Sequence, residues 1–171
     1  MRVVILSVII FINFILRATW FQSIEIFGVI PNTTLLIVVC YAVLRGDAEG
    51  SVVGFFAGLI HDIFFFGSYF GFFTLTAALI GYFCGKPFRD FYRENYLIPL
   101  VLAGTSSLAY GFIYYILHYL PETTAGANFW QYIYLKILPE TLYTIILAVP
   151  VYRIFYGING RLERYETRRR Y

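Results

Sequence analysis

Six ionisable side chains stand inside otherwise apolar runs: Arg17, His61, Asp62, His118, Lys136 and Glu140. Ionisable groups within lipid-embedded segments are costly and mark either a buried pair or a working site. Metal chemistry would need ligands a helical turn apart. No HExxH spacing occurs, and His61 and Asp62, as sequence neighbours, point to different helix faces. Acyl transfer would need an activated nucleophile, and no GxSxG elbow is present. No catalytic set, metal or cofactor is therefore expected. Two uses remain open. Lys136 with Glu140, one turn apart, and Arg17 with Asp62 could neutralise each other and fix helix register, although Lys before Glu is the poorer order. Alternatively, the groups line a pocket that takes a ligand or a partner segment. Pro139, beside Glu140, frees a carbonyl and is expected to kink its helix.

The second chemical signal is an absence of side chains. Gly46, Gly50, Gly54 and Gly58 recur every four residues, and Asp62 takes the next step. Four residues turn a helix by roughly 400°, so the stripe drifts only about 40° per step and leaves a slowly winding bare groove. Helices in lipid associate through such close packing. The following apolar run answers with Thr74, Ala77, Ala78, Gly81 and Gly85. The groove serves either this internal hairpin or a helix of another protein, with Gly67 and Gly71 in the glycine-aromatic turn as further contact positions.

The elements that must hold these residues are set by composition. Of 171 residues 60% are hydrophobic, 21% aromatic and only 13% charged, with mean hydropathy +0.71. Soluble domains carry about 25% charged residues, so a water-soluble globule is excluded, as is a disordered chain. Spans of about 20 apolar residues are read at Val3–Phe21 with Arg17 snorkelling, at Asn32–Leu44 (short), twice within Gly50–Gly85 with a turn at Gly67-Ser68, at Tyr96–Leu120 and at Trp130–Tyr156. The runs are apolar on every side, which favours helices over alternating barrel strands. The expected fold is an all-α integral membrane protein, a six-helix transmembrane bundle in one polytopic domain covering residues 1–171.

Charge orients it. With both termini inside, Arg2, Arg45, Lys86, Arg89, Arg93, Arg153, Arg161, Arg164, Arg168, Arg169 and Arg170 fall on the cytoplasmic side, against only Arg17 and Lys136 outside. Basic residues are retained inside, so N-in, C-in follows. No small-x-small site follows the first run, so an uncleaved first helix is expected. The tail 161–171, with Arg161, Arg164, Arg168, Arg169 and Arg170, is expected to lie on the anionic inner leaflet or to meet a cytoplasmic protein. Nucleic acid is not an expected partner. Cys40 and Cys84 read as reduced apolar fillers, Trp20, Trp130 and Tyr132 as interface anchors, and the phenylalanines from Phe64 to Phe73 as lipid-facing or partner-facing surface.

The order of features, Pro31-Asn-Thr-Thr-Leu-Leu, then Arg45-Gly-Asp-Ala-Glu-Gly50, then Gly54-Phe-Phe-Ala-Gly58-Leu-Ile-His-Asp62 leading into a glycine-aromatic hairpin, resembles the bacterial rod shape-determining MreD family. The resemblance covers nearly the whole chain and is strongest from Pro31 to Gly85. It implies a non-enzymatic, multi-pass subunit of the cell-elongation (rod) complex in the cytoplasmic (inner) membrane. Its implied partners are the bitopic protein MreC, the MreB filament system, a SEDS glycosyltransferase and its penicillin-binding transpeptidase. It also implies a fold similar to the substrate-binding subunits of energy-coupling-factor vitamin transporters.

Two functions follow as expectations. The first is a scaffold whose glycine groove holds the transmembrane or juxtamembrane segment of MreC, with Asp62 setting register. The second is a small-molecule-binding transporter subunit using Asp62, Glu140 and Lys136 in an outward pocket. An intramembrane enzyme is the weakest alternative.

Overall fold

The regular elements of the computed structural model are helices, and it is described over residues 2–19, 29–65, 70–86, 97–119 and 129–169. We label them α1 (Arg2–Thr19), α2 (Thr33–Arg45), α3 (Asp47–Phe65), α4 (Phe72–Gly85) and α5 (Leu97–Tyr119). A sixth, α6, runs from Phe129–Tyr132 through a π-helical turn, Ile133–Ile137, into Leu138–Arg169. The expected six helices are thus found among the described residues. Three of them hold stretches long and apolar enough to cross a membrane, Asp47–Phe65, Leu97–Leu117 and Trp130–Ile158, while α2 and α4 are shorter apolar helices.

The short α2 is the hub. It packs against α1, α3, α4, α5 and α6, and Leu35, Leu36, Val38, Val39, Cys40 and Ala42 lose all contact with the surroundings. A helix that is apolar all round belongs in the centre of a bundle. Its 13 residues rise only roughly 20 Å, against a hydrocarbon thickness of ~30 Å. Enclosure by protein is what makes that length sufficient. The start is fixed by sequence: Pro31 disfavours helix upstream, and the Asn32 side chain accepts from the Leu35 amide at 3.3 Å as the N-cap. The end is fixed by Gly46, whose φ of 103° suits glycine and whose amide donates to the Ala42 carbonyl at 2.7 Å. Asp47 and Glu49 then open α3, where acidic groups suit the helix dipole, and the Tyr41 hydroxyl donates to Glu49 at 2.9 Å across the turn.

Outward faces carry large apolar side chains on every side, among them Phe11 on α1, Phe56 on α3, Phe83 on α4, Phe112 on α5 and Ile146 on α6. That surface suits lipid and no aqueous phase. Cys40 and Cys84 are free and buried, the latter with its sulfur 3.4 Å from the Ser106 hydroxyl. Of the residues read as interface anchors, Trp130 stands exposed, whereas Tyr132 is buried, with its ring 5.1 Å from that of Tyr115. Trp20 lies outside the described residues.

Candidate functional site

The glycine stripe meets α4. A Cβ on Gly50 would stand 2.5 Å from the Ala42 methyl and 2.7 Å from the Gly81 carbonyl oxygen. One on Gly54 would overlap the Ala77 carbonyl, and one on Gly58 would lie 2.6 Å from the Thr74 Cα. From the other side, a Cβ on Gly81 would strike the Gly50 carbonyl, and one on Gly85 the backbone of Gly46 and Asp47. Small residues let two backbones touch, the usual route to helix association in lipid. The groove that the sequence offered to a partner helix is filled here by α4. Gly46 caps α2. Gly71 is needed for its backbone: φ is +89°, and an added Cβ would meet nothing within 4 Å. Gly67 lies outside the described residues.

Asp62, only 4% exposed, closes the seam at the N-terminal end of α4. Its Oδ2 accepts from the Thr74 amide at 2.9 Å and from the Thr74 hydroxyl at 2.6 Å. The N-cap of α4 is Gly71, which has no side chain to offer. Asp62 therefore serves as an N-cap supplied from the neighbouring helix, with its charge against the positive end of the helix dipole. The Arg17–Asp62 pair read from the sequence does not form, because the α4 N-terminus competes for the same carboxylate.

Arg17 instead joins a polar cluster near the ends of several helices. Its Nη1 donates to the Thr34 hydroxyl at 3.4 Å, and its guanidinium lies 5.2 Å from the centre of the Phe65 ring. Asn13, one turn earlier on α1, donates to the same hydroxyl at 3.2 Å. The Glu140 carboxyl lies within electrostatic reach of Arg17, Lys136 and the Asn32 side chain. The Asn32 amide donates to the Thr144 hydroxyl at 3.3 Å, and that hydroxyl donates to the Glu140 carbonyl at 2.7 Å. His61 stacks on Phe73, with ring centres 3.9 Å apart and planes at 19°. The cluster thus brings Arg17, Glu140 and Lys136 together, and leaves Asp62 to α4.

The break at Pro139 takes the form of the π turn. Proline has no amide to give the Leu135 carbonyl and crowds it, and a wider turn removes the crowding. Within it the Leu138 amide donates back to Ile133, five residues away, while the Thr141 hydroxyl donates to the Ile137 carbonyl at 2.7 Å. The simple four-residue register between Lys136 and Glu140 is lost. The Lys136 Nζ sits over two rings, 5.2 Å from the centre of Tyr114 and 5.4 Å from that of Tyr132, a cation–π arrangement. His118, near the end of α5, and Arg161, Arg164, Arg168 and Arg169, on the last turns of α6, have no described side chains, and Arg170 lies outside the described residues.

Sequence reasoning passed over Asn13, Thr34 and Thr144 as members of this cluster. They carry no charge to attract notice. The Pro-Asn-Thr order at 31–33 was a usable N-cap signal for Asn32.

Among the described residues no group of three or more His, Cys, Asp or Glu side chains could hold a metal ion. No curated protein and no solved structure matches the chain. The family model described as rod shape-determining protein MreD matches residues 1–158. That match runs from α1 through the polar cluster and the glycine seam to the last apolar turns of α6, and so the chain belongs to the MreD family, whose role lies in rod shape determination.

Proposed function

We propose that the chain is a non-enzymatic scaffold subunit of the rod complex in the bacterial inner membrane, with both termini in the cytoplasm and the bitopic protein MreC as its direct partner. By positioning MreC it regulates cell shape and peptidoglycan synthesis, alongside MreB, a SEDS glycosyltransferase and its penicillin-binding transpeptidase. The tail from Arg161 onward lies against the inner leaflet. The observation that carries this reading is the family match over residues 1–158. The seam geometry supports it: a hairpin locked backbone to backbone, fused to the enclosed α2, is a rigid mount. The polar groups also fit a structural use, since Asp62 caps α4 and Asn32 caps α2. The likeness to vitamin-transporter subunits rests on the family resemblance alone, and we keep the scaffold as the single reading.

The test is co-expression with MreC and purification in mild detergent. The wild-type chain is expected to bring down MreC in near-equal amount. Gly54→Leu, which forces α4 off α3, is expected to lose it while still inserting in the membrane, and Gly157→Ala, where a Cβ meets nothing, is expected to keep it. A wild-type chain that recovers no MreC would refute the reading.

A further inference from the structure

Between α1 and α3, at the edge of the polar cluster, lies a crevice lined by Asn13, Phe14, Thr34, Ala57, His61 and Phe65, among others. Its room is about that of one water molecule. We propose that this crevice is a binding site for one ordered water that joins Thr34 of α2 to His61 of α3.

Hydrogen-bond accounting carries the argument. The Thr34 hydroxyl oxygen already accepts from Asn13 Nδ2 and Arg17 Nη1. A hydroxyl has two acceptor sites and one proton, so the proton is what Thr34 still has to place. Across the crevice, both ring nitrogens of His61 are buried, and neither has a partner among the described residues. A neutral imidazole presents one donor and one acceptor. The occupant must therefore accept from a hydroxyl and also donate or accept at a ring nitrogen, in a space of one small molecule. Water does all of this, and buried waters typically make about three such bonds to otherwise unsatisfied groups. An apolar occupant would leave Thr34 and His61 unsatisfied in lipid. The stacking of His61 on Phe73 holds the ring in place, so its nitrogens cannot swing away to find other partners. Helices α2 and α3 are then bridged at this point by a solvent molecule, unlike the seam between α3 and α4, where backbones touch.

The test uses the chain in lipid bilayers. His118→Gln leaves His61 as the one histidine of the two in the sequence, so ring nitrogen signals after 15N-histidine labelling belong to His61 alone. Solid-state NMR with magnetisation starting on water is expected to give a His61 ring signal. Thr34→Val, which removes the hydroxyl anchor, is expected to lower that signal several-fold, and Thr34→Ser, which keeps it, to leave it unchanged. No water-derived signal in the parent would overturn the proposal. So would a signal of equal size in Thr34→Val, because the water would then come from elsewhere. Binding of MreC plays no part in any of these readings.

Discussion

Gly54→Ala puts one methyl group where the backbone of α4 already is. The new carbon would lie 2.8 Å from the Ala77 carbonyl carbon and 3.0 Å from the Ala78 Cα, and closer still to the Ala77 oxygen. Carbon atoms are comfortable at about 3.5–4.0 Å, so α4 must withdraw by roughly 0.5–1 Å, and a gap of that size forfeits about a quarter to a half of each dispersion contact. The loss is not local, because Gly50 and Gly58 touch α4 along the same face. Overpacking of this kind costs about 1–3 kcal/mol, and the atoms met are backbone, which cannot rotate aside. Alanine's better helix propensity returns about 1 kcal/mol. Gly157→Ala is the matched control: it has the same propensity gain, with no atom within 4 Å of the new carbon. The difference between the two variants is therefore the packing penalty alone, about 5- to 150-fold in the unfolding equilibrium constant. Reversible unfolding in mixed micelles, followed by far-ultraviolet circular dichroism, reads it. If the two alanine variants unfold at the same point, α3 and α4 do not touch backbone to backbone and the reasoning fails.

Two further outcomes follow from the same geometry. Asp62→Ala strands the Thr74 amide and hydroxyl and is expected to destabilise by about 1–2 kcal/mol. Asp62→Asn, which keeps an acceptor oxygen, should lose less, and the reverse order in the same unfolding assay would exclude the shared cap. Lys136→Gln and Tyr114→Leu, made singly and together, are expected to show a coupling of about 0.5–1 kcal/mol from the cation–π contact at an exposed site. Strict additivity of the two changes would remove that contact.

What the sequence made legible followed from periodicity. The stripe from Gly46 to Gly58 and its answer from Thr74 to Gly85 are regular patterns; Gly50, Gly54 and Gly58 meet α4, while Gly46 ends α2. The family was legible from the order of motifs around Pro31 to Gly85. The hub was not, because α2 is judged short by the length of a free-standing span, and only its enclosure on all sides makes that length workable. Charge misled at Asp62: Arg17 is its obvious partner by sign, yet a helix N-terminus with a glycine cap also attracts a carboxylate, and the Thr74 amide and hydroxyl take it. Pro139 announced a break but not its form, since a kink and a π turn both relieve the missing amide.

The polar residues at depth gain a common cause when helix length is considered. A helix leaves its first four amides without internal partners, and within hydrocarbon there is no water to satisfy them. Helices α2 and α4, of 13 and 14 residues, rise only about 20 Å and so must end inside a layer of about 30 Å. Each therefore needs a cap brought to it by the protein. Asn32 supplies the one, and the neighbouring helix's Asp62 supplies the other. The Thr144 hydroxyl takes the backbone amide of Asn32, and Thr141 serves a carbonyl of the π turn. Much of what reads in the sequence as a pocket of polar groups is thus the backbone of short helices finding partners in place of solvent. The described ionisable residues left over by that accounting are Arg17, His61, Lys136 and Glu140, which cap nothing, and they are where a ligand or a proton would have to act for this bundle to do more than hold its shape.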